Sequence, residues 1–245
     1  MRRCFGLALV VMALTSGVAH GADEPDFFLS PPRTSISVRA SWLLPSARSD
    51  WFDFVEHQLT LSRGDFTMFG IAGDVNLRIK PRLDLVFGGD YNGHSSDSEY
   101  RDFVDNSRLP IEQTTRLREG SLTGGVRYAL RNRGRAVGSL AYVPTRLVPY
   151  VGGGAGVLWY DLVQYGDFVD FTNFNVFADQ FPSSGAAALF YVDSGVDFEI
   201  FRHMFVTFDA RYKWASADLD QETWTGFKPI DLGGLRLSTG VTFSF

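Results

Sequence analysis

Side chains able to do chemistry are sparse in this 245-residue sequence. Asp53, Glu56 and His57 stand close enough to form an acid–base pair or a metal site. A polar connecting segment accounts for them as well, because His57, His94 and His203 all fall in connections, where histidines are mostly solvated. Asp218, Asp220 and Glu222 alternate as oxygen ligands for Ca²⁺ would, but no glycine follows at the turn position of a calcium loop. The run Gly152-Gly153-Gly154-Ala155-Gly156 lacks the Lys-Ser/Thr ending of a phosphate loop. Within a strand, such small residues allow close approach or give room to a large neighbour such as Tyr191. The only cysteine is Cys4, so the rest of the chain has no thiol chemistry, disulfide or Cys-ligated metal. No catalytic residue, cofactor site or metal site is expected.

What must be positioned is instead a set of charges. The chain is 45% hydrophobic, 15% aromatic and only 21% charged, with 22 Phe and 25 Gly, a composition that suits paired strands and excludes disorder. The net charge is −5, and without Arg2 and Arg3 the count is 21 basic against 28 acidic residues, which disfavours a nucleic-acid partner.

Arg2 and Arg3 precede an apolar run from Phe5 to Leu14, and Ala19-His20-Gly21 offers small residues at a cleavage site. That is the pattern of a secretory signal peptide over residues 1–21, too short and too soon polar to span a membrane as a helix. Residues 22–33 are expected to form a periplasmic tail, and residues 34–245 one all-β domain.

From Thr34 onward the hydropathy alternates with a period of two. Ile36, Val38, Ala40 and Trp42 oppose Ser35, Ser37, Arg39 and Ser41. The same dyad runs through 69–79, 83–91, the segment ending at 130, 150–161, 190–199, 206–214 and 235–245, which predicts eight strands. In 150–161 the glycines hide the phase, and Val151, Ala155, Val157 and Trp159 are placed outward. Long polar-aromatic connections are expected after strands one, three (92–115), five (162–184) and seven (215–231), all at one end. The 131–147 link is expected to hold a helical turn over 136–143.

One face of these strands carries Arg39, Asp74, Arg78, Asp84, Asp90, Arg127, Asp193, Asp197, Glu199, Asp209, Arg211, Lys213 and Arg236. The signs nearly balance. Inside a closed barrel such groups can neutralise one another while the apolar face meets lipid, where only closed sheets satisfy every backbone group. Trp42, Tyr91, Trp159 and Trp214 sit near the loop ends of the apolar faces, as an interfacial aromatic girdle does. The expected fold is therefore an eight-stranded antiparallel up-and-down transmembrane β-barrel.

The terminal segment Ser238-Thr239-Gly240-Val241-Thr242-Phe243-Ser244-Phe245 resembles the insertion signal of bacterial outer-membrane barrels, with Gly240, Phe243 and Phe245 matching. With Pro149-Tyr150-Val151-Gly152 opening strand five, the mature chain resembles the outer-membrane β-barrel family of opacity-type and OmpA-like proteins. The resemblance implies a bacterial outer-membrane location, recognition of Phe243 and Phe245 by the barrel-assembly machinery, and contact with outer-membrane lipid and lipopolysaccharide. It says little about role, since such barrels serve as adhesins, envelope stabilisers and small channels. Lipid A deacylases are similar in size and strand number and carry His-x-Ser on a late strand; here Trp214-Ala215-Ser216 has no proton acceptor at the first position. The leading expectation is a non-enzymatic surface protein acting through four extracellular loops on a glycan or protein ligand or on the envelope. A small channel for small or apolar solutes is the alternative.

Overall fold

The computed structural model describes residues 31–245 apart from 106–107, 138–140 and 202. The signal-peptide segment, Cys4 and most of the expected tail lie outside the described residues. Eleven strands occur in order: β1 (Thr34–Pro45), β2 (Met68–Lys80), β3 (Leu83–Val104), β4 (Pro110–Ala129), β5 (Gly134–Val137), β6 (Ala141–Pro144), β7 (Leu147–Val169), β8 (Val176–Phe201), β9 (Met204–Ala217), β10 (Ile230–Asp231) and β11 (Gly234–Ser244). A helix α1 (Asp50–Gln58) and a 3₁₀ turn (Arg63–Phe66) lie between β1 and β2.

Eight strands close a ring in the order β1-β2-β3-β4-β7-β8-β9-β11, every pairing antiparallel. The seam is the β1–β11 ladder, in register from Ser35 opposite Ser244 to Pro45 opposite Gly234. Among the described residues no helix is long and apolar enough to cross a membrane.

The alternation has a direct structural counterpart. Val38, Ile71, Phe87, Leu122, Val126, Val157, Phe190 and Phe208 point outward and are exposed, while Arg39, Asp74, Asp84, Arg127, Asp209, Arg211, Lys213 and Arg236 are buried inside. A period of two must sort side chains this way once the sheet closes. In β7, Val151, Val157 and Trp159 are exposed and Tyr150, Leu158 and Tyr160 buried, which fixes the phase that the glycines obscure.

Two expected connections are mostly strand. β3 continues to Val104 and β4 begins at Pro110; β7 continues to Val169 and β8 begins at Val176. A barrel strand needs about 9–11 residues to cross hydrocarbon, whereas these four contain 22, 20, 23 and 26. Beyond the apolar band both strand faces meet water or protein, so the alternation fades although the ladder continues. The expected helical turn at 136–143 is also replaced, by the β5–β6 hairpin. Eight residues are too few to sustain a helix, and Val137, Tyr142 and Val143 favour extended backbone.

Candidate functional site: a charged lumen under an aromatic cap

The lumen is built from inward positions of all eight barrel strands. Arg39 pairs with Asp74 and donates to Ser37 Oγ at 3.2 Å. Arg211 sits 3.7 Å from both Asp74 and Asp193. Arg236 reaches Asp90 at 2.5 Å and Asp209 at 3.5 Å, and Arg127 reaches Asp197 at 3.5 Å. Tyr150 Oη donates to Asp209 at 3.0 Å, and its ring lies 3.6 Å from the Arg127 guanidinium carbon. Tyr191 takes the same place under Arg211 at 4.1 Å.

These contacts explain the glycine run. A Cβ on Gly125 would come within 2.4 Å of Tyr191 Oη, and one on Gly154 within 2.9 Å, so the two tracts make room for that ring. The paired charges leave little free space. A cavity of about 50 Å³, beside Arg127, Asp84 and Asp197 at the short-turn end, has room for a few waters, each of which needs about 10–15 Å³ on the same measure.

Two of the ion pairs use residues outside the charge set read from the strands. Glu119, which falls within the fourth expected strand but not in its charge set, pairs with Lys213 across 94 residues. Arg133, in the 131–147 link, pairs with Asp84. The signal for Glu119 was its place in phase with Ser121 and Thr123 on the inward face. For Arg133 there was none, because it lies beyond the end of β4. Arg78, from the same expected set, stands at the short-turn end with no described carboxylate in ion-pair range, and its Nε is buried without a hydrogen-bond partner.

The girdle residues lie on the outer face. Tyr91, Gly120 and Trp159 share a row across β3, β4 and β7, with the indole of Trp159 lying over Gly120. Trp42 packs edge-on to Phe69 at 6.0 Å, and Trp214 to Tyr212 at 4.8 Å. At the C-terminus, a Cβ on Gly240 would strike the Val38 carbonyl at 2.1 Å, so this position needs glycine where β1 and β11 approach. Phe243 and Phe245 are exposed outward, and the Phe245 carbonyl accepts from the Arg33 and Thr34 amides.

Above the lumen the chemistry inverts. In α1, Asp50 and Asp53 lie in the first turn, where carboxylates complement the helix dipole, and His57 lies in the last. Trp51, Phe52 and Val55 form its buried face. They join Leu59, Leu61, Phe66, Leu219, Trp224, Ile230 and Leu232 in one apolar core that extends to Leu117, Leu158, Leu162 and Leu189 of the barrel wall. Trp51 contacts Phe52 at 4.9 Å and Trp224 at 5.9 Å; Phe181 contacts Trp224 at 5.9 Å and Phe168 at 4.5 Å. The 3₁₀ turn is held by Asp65, which accepts from Ser62 N–H and Oγ–H, both at 2.8 Å. The backbone donor at Ser62 keeps the Asp65 carboxyl below the usual carboxylate range. Asp53 and Glu56 are engaged by Arg63, at 2.6 and 3.3 Å. Between the loops lies a cleft of about 230 Å³ lined by Phe54, Tyr100, Phe168, Phe171, Trp224 and Phe227, with Gln113 and Gln164 beside them.

No family model matches the chain, and no curated protein matches it. Among solved structures, the outer-membrane protein OprG from Pseudomonas aeruginosa superposes with a TM-score of 0.53 at 9% identity, over 91% of this chain and 99% of that one. The fold is that of a small outer-membrane β-barrel. Neisserial surface protein A is also similar, with a TM-score of 0.46 at 14% identity over 86% of this chain and 97% of that one.

Proposed function

We propose that the chain is a non-enzymatic outer-membrane surface protein whose barrel is an anchor and whose capped loop end is its interaction surface. The observation that carries this reading is the filled interior: buried, paired charges occupy the lumen, and α1 with its aromatic neighbours covers one mouth. A channel needs a continuous wet path, and among the described residues the buried pairs Arg39–Asp74, Lys213–Glu119 and Arg236–Asp90 stand across it.

The short connections then face the periplasm, as in barrels of this class, and the four longer ones face outward. Phe171, Phe174 and Phe177 stay exposed at the β7–β8 tip, beside Asp167, Asp170 and Asp179. Aromatic rings with an acidic rim suit contact with a glycan or protein rather than with a polyanion. The aromatic cleft favours a second reading, retention of a small apolar molecule under the loops. Planar-bilayer recording separates anchor from pore: the reading requires no sustained conductance from the intact barrel, and steps of uniform size would overturn it. Tags at Ser96, Asn173 and Gln221 should be reachable on intact cells and one at Lys80 hidden.

A further inference from the structure

The end opposite the cap has a chemistry that anchoring alone leaves unused. The turn between β2 and β3 reads Lys80-Pro81-Arg82, and the long 131–146 link contains Arg131, Arg133, Arg135 and Arg146 with no acidic residue. Among the described residues, only Arg133 of these has a carboxylate in ion-pair range, Asp84. Of the loops at the other end, the third shows the reverse, with four Asp and no Lys or Arg from residue 161 to 184.

The β5–β6 hairpin folds back to make one wall of a cleft of about 1190 Å³ against the barrel rim. It is fastened there by Arg133 to Asp84 and by Arg82 Nε donating to Asn132 at 2.8 Å. Arg33, Arg78, Lys80 and Arg133 line this cleft. The Arg78 guanidinium meets the Tyr142 hydroxyl and Arg133 holds Asp84, and the Nε of each is left without a partner, as it is in five other arginines. Arg33 and Lys80, exposed on the rim, with Arg78 and the Asp84-paired Arg133 along the same lining, present a net positive wall that suits a multiply accepting anion such as a phosphate oxygen set. The same wall includes Ile79, 52% exposed, and Phe245, 66% exposed, both at the lower edge of the apolar outer face. A soluble anion has no use for those two side chains, whereas a lipid places its acyl chain along them.

We propose that this cleft is a binding site for the headgroup of an anionic phospholipid in the inner leaflet, with the phosphate among Arg33, Arg78, Lys80 and Arg133 and the acyl chains against Ile79 and Phe245. The site rests on the assignment of the short turns to the periplasm. It explains why a barrel of this size has a long, arginine-rich link where a tight turn would close the sheet.

The test uses the folded, full barrel in neutral detergent, titrated with short-chain phosphatidylglycerol, short-chain phosphatidylcholine and inorganic phosphate, and read by native mass spectrometry. Phosphatidylglycerol should be retained in about one-to-one ratio and phosphatidylcholine far less. Arg33→Gln with Lys80→Gln should weaken phosphatidylglycerol retention about tenfold, because each cation near an anionic headgroup contributes on the order of one such factor or less. The same charge removal at the loop end, Arg48→Gln with Arg108→Gln, should leave it unchanged. Arg33 and Lys80 are exposed, so their loss does not compromise folding. Equal retention of both lipids, or no effect of the Arg33 and Lys80 changes, overturns the site. Retention of inorganic phosphate without lipid preference reassigns it to a soluble anion and overturns the lipid claim. Because binding is read in detergent without reference to orientation, lipid selectivity with tags exposed at Lys80 would overturn the topology and leave the site standing.

Discussion

The lumen and the cap are both densely packed, and they are packed by opposite means. In the lumen, Arg39, Asp74, Arg211, Asp193, Arg236 and Asp209 are held by ion pairs and by Tyr150 and Tyr191. In the cap, Trp51, Phe52, Phe66 and Trp224 meet edge to face with no ion pair among them. Lipid explains the division. Where the outer face must be apolar, the polar side chains of each strand are driven inward and must satisfy one another. Above the lipid that constraint is lifted, and the ordinary hydrophobic effect gathers aromatic residues into a conventional core. A barrel of this kind therefore has two cores, and their failure modes should differ.

Asp74→Leu should produce the largest effect, because it strands the buried Arg39 guanidinium and leaves Arg211 with Asp193 alone. A loss of about 3–5 kcal/mol is expected, measured by reversible unfolding in lipid vesicles. A loss under about 1 kcal/mol would mean that water reaches the lumen and the pairs are solvated. Trp51→Ala should cost a similar ~3–5 kcal/mol, but within the cap only. Limited proteolysis should then cut within residues 46–67 while the barrel keeps its unfolding midpoint. Collapse of the barrel in this variant would show that the two cores are one cooperative unit. Gly154→Val should cost about 1–3 kcal/mol by overpacking against the Gly124–Gly125 backbone and Tyr191, whereas Val126→Leu, on the lipid face, should change stability by less than about 0.5 kcal/mol. The smallest effect concerns pH. The folded Asp65 carboxyl is held below its ordinary value, so the Ser62–Asp65 lock is complete above about pH 4 and is lost as the pH falls through the lower folded value. Amide exchange in residues 62–67 should quicken only in that acid range.

This division also governs what the amino-acid sequence makes legible. Within the lipid band the environment is two-valued, so Ile36, Val38 and Ala40 separate cleanly from Ser37 and Arg39, and the eight strands and their phase can be read. Outside it the code weakens. Residues 92–104 and 162–169 continue their strands with polar and apolar side chains on both faces, and they look like loops. Helix α1 spans only nine residues and draws its stability from Phe66 in the turn that follows and from Trp224, far away in sequence. Partner choice in the lumen was equally hidden. The charged face shows that Lys213 needs an acid, but only the ring closure brings Glu119 to it. The hairpin at 134–144 depends on the Arg133–Asp84 pair and on Tyr142 packing over Gly134, neither of which leaves a periodic trace.

The central claim is that the apolar face meets lipid and the charged face is sealed inside. Nuclear Overhauser contacts between acyl chains and protein methyl groups in lipid nanodiscs test it on the unmodified chain. Val38, Ile71, Leu122 and Val126, all exposed on the outer face, should show acyl contacts, and the buried Thr123, Thr207 and Thr242 none. Acyl contacts at those three threonines, with water contacts at Val38 and Val126, would contradict the account.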